Sequence, residues 1–119
     1  MGFPAGGPLD QHARLLTDKL QAVLGQPFIV DYKPGAGGSV GAESVARGPA
    51  DGYTIMLANT GVMVINGALY NKLPYNTLKD FVPIARTAQQ PLALLVNNNV
   101  PAKTLQEFRD YATKNPGKV

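Results

Sequence analysis

The sequence predicts an α/β domain with a mixed, mostly parallel sheet, and three observations carry that prediction. Short β-rich runs alternate along the chain with amphipathic runs of helical period. Glycine and proline, 13 and 10 of 119 residues, cluster at the junctions between those runs. Two of the junctions, GFPAGGPLD (residues 2–10) and KPGAGG (residues 33–38), are glycine-rich turns that lead straight into a helix.

Each element has its own local reason. In PLDQHARLLTDKLQAVL, residues Ala13, Leu16, Leu20, Val23 and Leu24 recur at spacings of three and four and make one apolar face. Gly7 suits the N-cap and Pro8 the first helical position, while Gly25 and Pro27 end the helix. Phe28 to Tyr32 reads as a strand. A second, shorter helix is expected over Val40 to Arg47, with Ser39 as a candidate cap and Gly48-Pro49 as its stop. Asp51-Gly52 marks a turn, Tyr53 to Ala58 a buried strand, and Asn59-Thr60-Gly61 the entry to a helix through Leu69.

Pro74 to Phe81 is irregular, and Val82 to Thr87 and Leu92 to Val96 read as strands. Thr104-Leu105-Gln106-Glu107 has capping-box spacing. Leu105, Phe108, Tyr111 and Ala112 supply the apolar face of a last helix that Asn115-Pro116-Gly117 stops. Lys118-Val119 reads as the entry to a further strand. A glycine turn that opens a helix normally follows a strand, and only Met1 stands before the first one. The chain therefore reads as incomplete at both ends.

Composition narrows the function. A hydrophobic content of 45% with 16% charged residues is that of a globular domain. The net charge of +3 comes from 11 basic residues scattered singly, with no basic stripe interleaved with aromatics, so nucleic acid is not an expected partner. There is no cysteine, which excludes disulfides and thiolate metal or redox sites. No apolar run approaches the ~18 residues of a membrane span. No charged-then-apolar leader follows Met1, so any export signal is expected to lie outside this sequence, with the signal peptide absent from it.

The chemistry concentrates in the turns. A helix N-terminus presents N–H groups without intrahelical partners at the positive end of the macrodipole. Glycines at 6 and 7 let that backbone approach a ligand with no Cβ in the way, making a cradle for a carboxylate or phosphate. The same turn equally suits a βα connection that needs positive φ and binds nothing. Asp10, at the third helical position, caps the turn or complements the dipole; the functional alternative is that it holds a water or a ligand's amino or hydroxyl group. PGAGGSVGAES repeats the arrangement, but Val40 stands where a dinucleotide fingerprint starting at Gly35 needs glycine, and no P-loop lysine follows. His12 is the only histidine, and neither Ser39 nor Ser44 lies in a nucleophile elbow. No catalytic, metal or cofactor constellation emerges.

Four stretches carry a resemblance: GFPAGGPLD, DYKPGAGGSVGAESVARGPADGYTIMLANT, NGALYNKLPYNTLKDFVPIA and VPAKTLQEFRDYATKNPGKV. In this order they resemble the Bug-type solute-binding proteins, the extracytoplasmic receptors of tripartite tricarboxylate transporters, over essentially the whole chain. The resemblance implies a periplasmic-binding-protein-like receptor of type II, a two-lobed Venus flytrap without enzymatic activity. It would capture a small organic mono- or dicarboxylate in the periplasm and deliver it to the membrane permease subunits. Residues 1–96 would be most of the first lobe, lacking its first strand. Residues 97–119 would be the hinge crossing and the start of the second lobe, reached through a crossing strand at Leu92 to Asn97.

The ligand-binding positions that match are Phe3, Pro4, Ala5, Gly6, Gly7 and Asp10 in the first turn, with Asn59, Thr60 and Gly61 bordering the cleft. Two departures stand out: Asn66-Gly67-Ala68-Leu69-Tyr70 has glycine where the family has proline, and Met63 occupies a position often held by histidine. Family members are considerably longer, so exposed edges and self-association between copies are expected. The alternative is an α/β enzyme domain that holds a phosphate-containing cofactor through its glycine turns.

Overall fold

The computed structural model describes residues 1–118; Val119, and with it the end of the strand entry read at Lys118-Val119, lies outside them. The chain divides into two compact units, Met1–Ile84 and a second beginning at Ala85.

In the first unit, α1 (Pro8–Leu24) starts and stops where the sequence places its signals. Gly7 is the N-cap in extended conformation, Pro8 opens the helix, and Gly25 closes it in the left-handed region with its N–H donating to Gln21 O. Only the first half of its apolar face is covered. Ala13 is buried, whereas Val23 is 80% exposed. A 3-10 turn, Ala36–Gly38, leads directly into α2 (Ser39–Ala46), for which Gly38 rather than Ser39 is the cap. After Thr60 the chain winds as a π-helical segment, Gly61–Ile65, and continues as α3 (Asn66–Leu69). Asn59 caps this composite helix: its Oδ1 accepts from Val62 N–H at 3.1 Å and its backbone oxygen accepts from Met63 N–H at 3.1 Å.

The core is small and lies between α2 and the composite helix. Ala42, Val62 and Tyr75 form it, with Phe3, Met56, Met63, Leu73 and Phe81 among the side chains packed around them. The Tyr75 hydroxyl donates to Val62 O at 2.6 Å, and its ring meets Phe81 edge to face at 5.8 Å. A polar tip is thereby satisfied inside an apolar cluster.

The second unit contains α4 (Leu105–Lys114), whose N-cap Thr104 accepts from Glu107 N–H at 3.2 Å. Glu107 reaches back to Lys103 N–H at 2.7 Å, one residue before the position a standard capping box would satisfy. None of the residues of α4 is buried.

The expected sheet is corrected. No strand forms among the described residues, so the mixed, mostly parallel sheet lobe predicted from the alternation of elements is not the architecture observed. A helix closes its own hydrogen bonds, but a strand exists only against a partner. Of the four β-rich runs, Phe28 to Tyr32 comes nearest. The Met1 ammonium donates to Asp31 O at 2.6 Å and Lys33 N–H donates to Met1 O at 2.9 Å, a single rung of parallel type. Tyr53 to Ala58, Val82 to Thr87 and Leu92 to Val96 have no such rung; Tyr53 is 93% exposed and Leu92 fully so, and of these three runs only Met56 to Ala58 are half-buried. Pro83, which lacks an N–H, interrupts the run Val82 to Thr87, and Pro91 stands immediately before Leu92 to Val96.

Candidate functional site

The first turn is held by α1 itself. Gly6 takes a positive φ of 86°, which redirects the chain so that Gly7 and Pro8 begin the helix. One helical turn on, the buried carboxylate of Asp10 points back at the loop. Its Oδ2 accepts from Gly6 N–H at 2.8 Å and its Oδ1 accepts from the Tyr32 hydroxyl at 2.6 Å. The Arg14 guanidinium, one helical turn further, straddles both oxygens, with Nε 3.1 Å from Oδ1 and 3.2 Å from Oδ2. Arg14 Nη2 also donates to the Tyr32 oxygen at 2.8 Å, which closes a ring of three side chains.

The protonation equilibria follow from this ring. The hydrogen bond from Tyr32, then that from Gly6, holds the Asp10 carboxyl below the ordinary carboxylate range, with Arg14 adding to the effect against the cost of burial. The carboxylate beside it pushes the Tyr32 phenol and the Arg14 guanidinium up.

The second turn is a run of left-handed backbone, with φ of 140° at Gly35, 45° at Ala36, 61° at Gly37 and 90° at Gly38. Asn66 of α3, buried, donates from Nδ2 to Gly37 O at 3.2 Å and to the buried Ser39 Oγ at 3.1 Å. Gly38 is required here by contact as well as by conformation, and Gly41 by contact alone. A Cβ on Gly38 would come 2.6 Å from Val62 Cγ2 and 3.2 Å from the Phe3 ring. A Cβ on Gly41 would come 2.6 Å from the Gly2 Cα.

Phe3, half-buried, and Val62, just past Asn59-Thr60-Gly61, both lie against Gly38. Pro4, Ala5 and Gly6 are exposed, and the Ala5 N–H has no hydrogen-bond partner among the described residues. The Gly6 N–H is engaged by Asp10, and Asn59 is engaged in its own cap. Thr60 is exposed and Gly61 half-buried. An open groove of about 320 Å³ adjoins Arg14 and Tyr32 but includes none of the turn residues.

Sequence reading missed Arg14, Tyr32, Gly38 and Asn66. The spacing of Asp10 and Arg14, four apart on a helix, was a usable signal. So was the Gly38–Gly41 spacing of three. Nothing local announces Tyr32 or Asn66, whose partners lie 22 and 27 to 29 residues away.

Comparisons with known proteins place the chain in a family. The family model described as "Tripartite tricarboxylate transporter family receptor" matches residues 12–119. The chain is 36% identical over 118 residues to Protein BugT of Bordetella pertussis, covering 98% of this chain and 36% of that protein. It is 36% identical over 117 residues to the UPF0065 protein in the tcbD-tcbE intergenic region of Pseudomonas sp., covering 98% of this chain and 34% of that protein. A UPF0065 protein in the gbd 5' region of Cupriavidus necator is 39% identical over 119 residues, 100% of this chain and 36% of that protein. The chain thus spans about a third of the length of the curated relatives it matches. No solved structure gives a significant match. With the family model covering residues 12–119 and these relatives matched over 98 to 100% of this chain, the chain belongs to the tripartite tricarboxylate transporter receptor family.

Proposed function

We propose that this chain is part of a periplasmic solute-binding receptor that captures a small organic mono- or dicarboxylate and hands it to the permease subunits of its transporter. The observation that carries the reading is the receptor-family match over residues 12–119. The turn geometry supports it: an exposed segment Pro4 to Gly6 stands at the N-terminus of a helix of 17 residues, where backbone N–H groups and the macrodipole favour an anion. Phe3, Pro4, Ala5, Gly6 and Gly7 would line one side of the ligand, and Asn59, Thr60 and Gly61 the other. On this reading residues 1–96 carry the ligand turns of one lobe, and residues 97–119 begin the crossing to the next. The family match does not favour the enzyme alternative, in which the glycine turns hold a phosphate-containing cofactor.

Affinity in the chain by itself should be weak. A single turn offers a few charge-assisted hydrogen bonds, each worth about 1.5–3 kcal/mol. Association costs several kcal/mol, which leaves a dissociation constant on the order of millimolar. The test is an amide-resolved NMR titration of the 119-residue chain with C4–C6 dicarboxylates. Shifts centred on Ala5, Gly7, Thr60 and Gly61 at millimolar ligand are expected. Saturable shifts confined to the second glycine turn, or none at tens of millimolar, would refute the assignment.

A further inference from the structure

We infer that Asp10, Tyr32 and Arg14 are positioning residues: together they lock the Pro4–Gly7 turn onto α1, and Asp10 acts through the turn rather than by touching a ligand. The inference rests on the reading that this turn receives an anion, and it assigns the charged residue nearest to it.

Three observations lead there. First, the Asp10 carboxylate is buried, and both its oxygens are occupied by donors from within the chain: the Gly6 amide, the Tyr32 hydroxyl and the Arg14 guanidinium. A carboxylate so engaged has no reason to turn outward. Second, those donors come from three places in the sequence: the turn, the first helix and the segment after it. Their bonds therefore fix the turn against both neighbouring elements. Third, a bare carboxylate beside an anion site would repel the anion. Arg14 at 3.1 Å cancels that charge, and Tyr32 bridges the two groups. The turn can then present backbone dipoles to an anion without a neighbouring negative charge opposing them.

The acid behaviour of the ring has a definite sign. Arg14 from α1 and Tyr32 from the following segment are the titratable groups that face Asp10. The folded Asp10 carboxyl lies below its ordinary value of 3.8, so between the two values the unfolded chain binds more protons. The lock is complete above about pH 4 and is lost as pH falls through the folded value. The Tyr32 phenol lies above its ordinary 10.0, so ionising it opens the ring only well into the alkaline range.

The test follows the Gly6 amide by NMR in the 119-residue chain from pH 7 downward. Its shift should report the protonation of Asp10, with a midpoint below that of an ordinary aspartate. Tyr32→Phe should move that midpoint upward, and Arg14→Gln should do the same. Asp10→Asn should abolish the titration yet keep Gly6 protected, since the amide oxygen can still accept. Asp10→Ala should raise Gly6 exchange about tenfold or more. A Gly6 shift that ignores Asp10, or unchanged exchange in Asp10→Ala, overturns the inference. Succinate then separates it from the binding reading. A normal pH profile with no succinate response at Ala5 leaves the lock standing and the anion assignment fallen. Direct contact between Asp10 and bound succinate, seen as a cross-relaxation signal, overturns the lock.

Discussion

The two units of this chain hold their elements in opposite ways. In Met1–Ile84, distant segments approach closely: a Cβ added at Gly2 would lie 2.5 Å from the Gly38 backbone, one at Gly41 2.6 Å from the Gly2 backbone, and one at Gly38 2.6 Å from the Val62 side chain. Side chains then tie backbone to backbone across long separations, as Asn66 does at Gly37 and Tyr75 does at Val62. In the unit that begins at Ala85, by contrast, every hydrogen bond among the described residues spans four residues or fewer. No described residue there is buried. The comparison teaches that the first unit depends on fit and the second on local capping. Substitutions should separate the two.

The largest effect should come where conformation and contact coincide. Gly38→Ala would place a methyl group 2.6 Å from Val62, at a φ of 90°. Left-handed backbone costs an ordinary residue about 1–2 kcal/mol, and overpacking about 1–3 kcal/mol more. A loss of about 2–4 kcal/mol is expected, read as a lowered urea midpoint of the first unit. Gly52→Ala is the matched control, because its φ is 82° but nothing lies within 4 Å of the added atom. It should cost only the backbone part. Equal losses for the two variants would show that the close approach contributes nothing.

Tyr75→Phe should come next. It removes a buried hydrogen bond of 2.6 Å and leaves the Val62 carbonyl without its side-chain partner, while the ring and its contact with Phe81 stay. A buried polar group left unpaired costs about 1–3 kcal/mol. The lower part of that range is expected here, since the carbonyl lies in a helical segment. Thermal unfolding monitored by near-ultraviolet circular dichroism measures it. A variant as stable as the parent would mean that the apolar cluster alone holds the π segment.

How much of this was legible depends on the range over which each feature is encoded. The helix boundaries were, because their signals sit beside them: Gly7-Pro8 opening α1, Gly25 closing it, and the Thr104–Glu107 pair opening α4. The turn at residues 4–7 was legible as an exposed helix entry, and Asp10 as a cap was one of the readings its position allowed. The sheet was not. The β-rich composition of FIVDY or LALLV records which side chains prefer a pleated surface, but says nothing of whether a partner strand is present. The clamp on Asp10 was illegible for the same reason, since Tyr32 becomes a donor to it only once the chain has folded back. Gly38 was visible as a glycine, but its need to meet Phe3 and Val62 was not.

The smallest effect should fall on α4, and it tests the other half of the comparison. Leu105 is 73% exposed and no residue of the helix is buried, so burial cannot be what holds its ten residues in place. An isolated helix of that length is marginal in water. What remains is local: the Thr104 cap at 3.2 Å, the Glu107 return bond at 2.7 Å, the Gln106–Asp110 pair at 2.9 Å, and Asn115 closing on Tyr111 O at 2.9 Å. Thr104→Ala removes the first of these and should cost about 1 kcal/mol of local helix stability. Amide exchange across residues 105–114 would rise roughly fivefold, following the conversion of about 1.4 kcal/mol per decade. Thr104→Ser, which keeps the oxygen, should restore most of the protection. Leu105→Ala, at an exposed position with good helix propensity in both forms, should change exchange hardly at all. If the leucine variant exchanges faster than the cap variant, α4 is held by an apolar contact and the contrast between fit and capping fails at its weaker end.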